Sequence, residues 1–183
     1  SRDWSSDVCS SDLTMQTFPW QFTADFCYEI QGANLRIQII VTNQDQMSLP
    51  VAPGIHPFFN LGKLAEWTSK IPAKKAFEVT ARGLAGESRT IDVSARRCDD
   101  VELKSLVLGE LTDTTAEMVE TKTKRRICVG WDSETTQNVV LWTDQTAGYF
   151  CLEPWSGLPD AVHNQSGLKV IKPKESMRFD YTI

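Results

Sequence analysis

Leu35, Ile37, Ile39 and Val41 alternate with Arg36, Gln38, Ile40 and Thr42. A two-residue period puts every second side chain on one face, so this segment reads as a β-strand burying one side. Phe26-Cys27-Tyr28-Glu29-Ile30 precedes it, and Gln31-Gly32-Ala33-Asn34 supplies turn residues between the two, predicting a β-hairpin. A strand over residues 18–22 leads in. The same short apolar runs, punctuated by Gly, Pro, Asn and Asp, recur at 76–79, 105–108, 126–129, 138–142, 149–152, 169–171 and 177–183. No segment has the periodicity of a long amphipathic helix. The chain is therefore expected to be all-β, an antiparallel sandwich or barrel. Residues 80–100 lack apolar periodicity and are expected to be its least ordered part.

With 183 residues, 41% hydrophobic and 23% charged, the chain can bury one sizeable core as a single domain. Neither an internal repeat nor an interdomain linker interrupts it. A net charge of −5 and a pI of about 5.1 remove the electrostatic footprint of a nucleic-acid binder. The one basic run, Lys122-Thr123-Lys124-Arg125-Arg126, reads as a solvated face. No apolar stretch is long enough to span a bilayer, and the N-terminus lacks the apolar region of a signal peptide, so a cytoplasmic protein is expected; a monomer is expected as well. Cys9, Cys27, Cys98, Cys128 and Cys151 show no CxxC spacing, and their odd count leaves one unpaired in any complete disulfide scheme. Reduced thiols fit best, with Cys27, Cys128 and Cys151 as small core residues. Two histidines without clustered ligand spacing predict no metal site, and no glycine-rich phosphate loop is present.

Two segments stand apart from this pattern. Gly54-Ile55-His56-Pro57-Phe58-Phe59-Asn60-Leu61 and Cys151-Leu152-Glu153-Pro154-Trp155 each set one titratable residue before a proline, inside a run that otherwise favours burial. Burying such a group costs free energy unless a partner or ligand compensates, so both mark a candidate site. Pro53, Gly54 and Pro57 interrupt any strand ladder, which places His56 on an irregular strand or bulge. Glu153 follows an apolar strand and is expected where that strand ends. Two readings stay open for each: a catalytic acid or base, or a structural group satisfying a buried partner. Trp155, Phe58 and Phe59 offer apolar faces to a ligand and Asn60 a hydrogen bond, or all four are core and wall residues. His163, after Pro159-Asp160, reads as an exposed loop residue.

Residues 3–13, DWSSDVCSSDL, resemble the conceptual translation of a common sequencing-library adaptor. On that resemblance residues 1–13 are a non-native tail, unstructured by composition, and the domain is a partial one running 14–183. Removing Arg2, Asp3, Asp7 and Asp12 takes the net charge from −5 to −3 and leaves the acidic balance intact.

GIHPFFNL and CLEPWSG, joined by a β-rich middle and preceded by a hairpin ending in Asn43, resemble the C-terminal portion of aldose 1-epimerases, the galactose mutarotase-like superfamily. The resemblance runs from about Phe18 to Ile183 and is strongest at those two motifs. It implies an antiparallel β-sandwich with considerable sequence upstream. It also implies Glu153 as general base, His56 as general acid, Asp113 in GELTDT as a residue bonding sugar hydroxyls, and Trp155 as a wall of the sugar site. Mutarotation removes the proton of the anomeric O1 hydroxyl while protonating ring oxygen O5, so it needs an acid and a base and no cofactor. Ordinary pKa values of about 4.3 for Glu and about 6.5 for His allow an ionised glutamate and a protonated histidine together. The implied partner is a monosaccharide, a hexose or hexose phosphate. The alternative is a carbohydrate-binding module, or an inactive fragment of a carbohydrate enzyme, that does not turn over.

Overall fold

The computed structural model describes residues 4–9, 17–80 and 83–183. Its strands, in chain order, are β1 (Trp4–Cys9), β2 (Phe22–Gln31), β3 (Asn34–Asn43), β4 (Leu49–Val51), β5 (Phe58–Asn60), β6 (Trp67–Lys70), β7 (Ala73–Val79) and β8 (Ala85–Thr90). They continue with β9 (Arg96–Arg97), β10 (Ser105–Leu111), β11 (Thr115–Glu120), β12 (Arg126–Trp131), β13 (Asn138–Asp144), β14 (Tyr149–Trp155), β15 (Lys169–Ile171) and β16 (Ser176–Thr182). Among the described residues, helix is confined to short turns such as Ala161–Asn164.

Eight strands form one sheet in the order β1-β2-β3-β16-β12-β11-β6-β9, six form a second in the order β5-β14-β13-β10-β7-β8, and β15 pairs with β4. Every pairing of these strands is antiparallel. One apolar cluster draws Ile37, Ile39, Val41, Met118, Val129, Phe179 and Tyr181 from the larger sheet and Leu108, Val139, Leu141, Phe150 and Leu152 from the smaller. The two inner faces thus share a core, and the fold is an antiparallel β-sandwich. The expected hairpin closes at Gly32, whose φ of 62° suits the first turn position between paired Gln31 and Asn34.

Four expectations need correction. Of the cysteines expected in the core only Cys151 is buried; Cys128 is exposed and Cys27 partly buried, because each takes the parity of its strand that faces away from the core. Residues 18–21 are not strand, because β2 begins at Phe22 and the Phe18 and Trp20 side chains instead pack against the core from outside the ladder. The aperiodic stretch 80–100 contains β8 and β9, and it buries Ile91, Val93 and Cys98; isolated apolar residues between polar edge strands give no period to read. Of the tail at 1–13, residues 1–3 and 10–13 lie outside the described residues. Trp4–Cys9 pairs with β2 from Trp4↔Tyr28 to Cys9↔Thr23, since ladder bonds use backbone groups and need no apolar alternation.

Asn43, at the end of β3, is fully buried and satisfies three backbone groups. Its Nδ2 donates to the carbonyls of Met47 at 2.8 Å and Ile171 at 2.9 Å, and its Oδ1 accepts from the Asp45 amide at 2.9 Å. It thereby ties β3 to the β4–β15 pair that leads the chain toward His56. Asn43→Ala is expected to cost about 2–4 kcal/mol, because buried backbone groups lose their partners; urea denaturation at neutral pH measures this as a lower midpoint at unchanged slope.

Candidate functional site

β14 carries the site on one parity and the core on the other. Phe150 and Leu152 point into the shared core, while Tyr149, Cys151, Glu153 and Trp155 share the opposite face. Glu153 therefore lies inside β14, not where it ends, because the strand continues through Pro154 to Trp155.

β5 pairs with β14 at Tyr149↔Asn60, Phe150↔Phe59 and Cys151↔Phe58, then the ladder stops and resumes as a single bridge between Gly54 and Trp155. Both stretches keep one register, which sets His56 opposite Glu153, Pro57 opposite Leu152 and Ile55 opposite Pro154. The gap follows from the prolines. Ser156 N–H donates to the Pro53 carbonyl at 2.9 Å and Ile55 N–H to the Pro154 carbonyl at 3.2 Å, but Pro53 and Pro154 have no N–H to return. Pro57 leaves the same deficit opposite Leu152. His56 and Glu153 thus face each other at a position without ladder hydrogen bonds, where paired side chains approach most closely.

Their side chains meet: His56 Nε2 lies 3.3 Å from Glu153 Oε1. Glu153 is 1% exposed, whereas the His56 side chain is 49% exposed. The contact has ion-pair length without hydrogen-bond alignment, so both Glu153 oxygens remain without a hydrogen-bond partner. Burial pushes the Glu153 carboxyl up to about 7, and the Trp155 side chain beside it pulls the other way. Burial likewise pushes the Cys151 thiol up to about 12, with the Glu153 charge adding to it.

Trp155 rests against Gly54. A Cβ built at Gly54 would lie 2.5 Å from Trp155 Cδ1 and 3.1 Å from the Pro154 carbonyl oxygen, so glycine there serves close approach. Gly54→Val is expected to push the indole aside at a cost of about 1–3 kcal/mol, read as a lower denaturation midpoint with a shifted tryptophan emission.

Aromatic side chains extend the same face. His56 stacks on Phe58 with ring centroids 4.7 Å apart, and Phe58 meets Trp142 of β13 at 6.0 Å and Tyr149 at 6.2 Å, both edge-on. Phe58, Trp142 and Tyr149 are all appreciably exposed. Phe59 is not part of this face; one residue along a strand reverses the side, and it packs against the core instead. Asn60 Oδ1 accepts from the Gly62 amide at 3.2 Å and shapes the following turn. Sequence reasoning passed over Trp142 and Tyr149, since only sheet order sets them beside Phe58.

Asp113 is not gathered into the pair. It is exposed between β10 and β11, where its Oδ1 accepts from the Thr114 amide at 2.7 Å, and it lines an open cavity of about 510 Å³ with Trp131, Gln137 and Asn138. Asn138 stands opposite Trp155 on the neighbouring strand, so that cavity borders the site. His163 is exposed and bonds Asp160 at 2.5 Å, which raises its pKa. No helix among the described residues is long and apolar enough to cross a membrane.

The arrangement can hold a proton on a buried carboxyl near neutrality and exchange protons with a ligand approaching over His56 and the aromatic face. Comparison with known proteins gives a family context. The sequence profile described as aldose 1-epimerase matches residues 2–183. No curated protein matches the chain. Among solved structures, the Slr1438 protein from Synechocystis sp. PCC 6803 is 26% identical with a TM-score of 0.86, and the match covers 98% of this chain and 60% of that one. A galactose mutarotase-like protein from Clostridium acetobutylicum is 21% identical with a TM-score of 0.82, covering 98% and 60%. The GalM/aldose epimerase homologue from C. elegans is 15% identical with a TM-score of 0.77, covering 98% and 64%. The chain thus spans less than two thirds of the length of each.

Proposed function

Because the chain belongs to the aldose 1-epimerase family, we propose that its Glu153–His56 pair interconverts the α and β anomers of a hexose. The observation that carries this reading is the juxtaposition itself: a buried carboxylate 3.3 Å from a half-exposed imidazole on an open aromatic face. Glu153, with its pKa held near 7, suits a group that must both accept and return a proton at neutral pH. It takes the O1 proton while the His56 imidazolium donates to O5; the ring opens, the aldehyde turns about C1–C2, and the reverse transfers close the other face.

Trp155, Phe58 and Trp142 supply flat apolar surface for the C–H face of a sugar ring. Asp113 is assigned to sugar hydroxyls from the bordering cavity, through ligand-bound rearrangement or a bridging water. The substrate class is a free or phosphorylated hexose. Polarimetry of freshly dissolved α-D-glucose, α-D-galactose and α-D-glucose 6-phosphate tests the reading: faster approach to rotational equilibrium with the chain than with buffer supports it. A folded chain that accelerates none of the three overturns it.

A further inference from the structure

The same face carries a third donor that the proton transfers of Glu153 and His56 with the sugar do not use. Cys151 sits two residues before Glu153 on β14, on the same parity and fully buried, and it pairs with Phe58, next to the position of His56. One ligand atom each from His56, Cys151 and Glu153 lie within 4.8 Å of one another. Two donors at i and i+2 on one strand with a third directly across form three corners of a tetrahedron. Glu153 is 1% exposed and thereby sealed from bulk water, and its carboxylate already meets His56 Nε2 at 3.3 Å along one edge of this triangle.

We propose that His56, Cys151 and Glu153 form a binding site for a borderline-soft divalent cation, Zn²⁺ being the best match, whose occupation blocks proton transfer at the pair. The donor chemistry selects the ion. One sulfur, one imidazole nitrogen and one carboxylate oxygen suit Zn²⁺ or Co²⁺ and disfavour Mg²⁺ and Ca²⁺, which prefer all-oxygen shells. With Zn–S of about 2.3 Å and Zn–N and Zn–O of about 2.0–2.2 Å, two donors at a tetrahedral angle on one ion lie about 3.4–3.6 Å apart, close to the 3.3 Å that already separates His56 Nε2 from Glu153 Oε1. The longest edge of the triangle closes onto an ion with a movement of up to about an ångström, which rotation of the half-exposed His56 ring supplies. A fourth position stays open toward the aromatic face. Binding releases the Cys151 thiol proton, and any proton on His56 or Glu153, to solvent, and the cation then occupies the lone pairs that would otherwise carry protons. Metal binding does not depend on the chain being an epimerase.

The test uses the full chain stripped with EDTA and titrated with Co²⁺, then Zn²⁺. Saturable one-to-one Co²⁺ binding with a near-ultraviolet thiolate-to-cobalt charge-transfer band, displaced by Zn²⁺, is the expected result. Cys151→Ser should abolish the band and weaken Zn²⁺ binding by at least about 100-fold, and Cys98→Ser should retain both. Should Cys151→Ser fail to fold, zinc-edge X-ray absorption of the wild-type chain decides, with one sulfur and two or more nitrogen or oxygen neighbours expected. A zinc shell without sulfur, a band that persists in Cys151→Ser, or no saturable binding overturns the proposal. In an active chain, Zn²⁺ should suppress mutarotation and excess EDTA restore it; a chain that binds Co²⁺ through sulfur yet never accelerates mutarotation counts against the epimerase reading alone.

Discussion

Glu153→Gln should lower the mutarotation rate constant by about 10²- to 10⁴-fold, the usual contribution of one positioned proton transfer. The amide keeps the carboxylate's size and cannot take the O1 proton, so the loss belongs to chemistry and not to packing. His56→Asn should give a comparable loss. Because the two groups act on opposite ends of one concerted transfer, the double variant should be little slower than either single one. Losses that multiply in the double variant would mean the two residues act independently, and polarimetry at one sugar concentration across the three variants decides.

The same substitution should stabilise the fold at alkaline pH. The Glu153 carboxyl titrates near 7 in the folded chain against an ordinary value of 4.5, so the native state binds its proton more tightly than the unfolded state does. For a carboxyl raised in this way the favourable contribution is complete below about pH 4.5 and is lost as pH rises through about 7. The titratable groups facing it are His56 across the interrupted ladder and Cys151 on its own strand, and the thiol stays neutral throughout. Stability of the EDTA-treated chain should therefore fall by about 2–3 kcal/mol between pH 4.5 and pH 8 from this group. Glu153→Gln should remove that fall and leave the variant more stable than the wild type at pH 8. Urea midpoints at the two pH values measure it, and parallel pH profiles for the two chains would show that the buried carboxylate costs nothing. A variant that gains stability as it loses activity identifies Glu153 as a group held in the fold against its own solvation.

Much of this was legible in local sequence. Alternation at Leu35–Val41 gave β3 its face, and Gly32 its turn, because both depend on short-range geometry. The isolated His56 and Glu153 attracted notice for the same reason, each being a titratable residue bracketed by apolar neighbours and a proline. β1, β4, β5, β6, β8, β9 and β11 were missed. Their runs are too short or too polar to show a period, and β4, β5, β6 and β9 are held by partners distant in the chain.

What the sequence determined alone is the material of the site: strands with one buried face, and prolines at 53, 57 and 154 that cannot complete a ladder. Which residues meet was decided only by tertiary structure. The register between β5 and β14 sets His56 against Glu153, sends Phe58 to the open face and Phe59 to the core, and brings Cys151 within reach of both. Sheet order alone sets Trp142 beside Phe58. Asp113 stays in the bordering cavity for the same reason, since its position is set by the β10–β11 connection and not by the strands that carry the pair. Strand formation depends on neighbours a few residues away, whereas register is settled by the burial of a whole face at once, and a slip of one residue would exchange site for core.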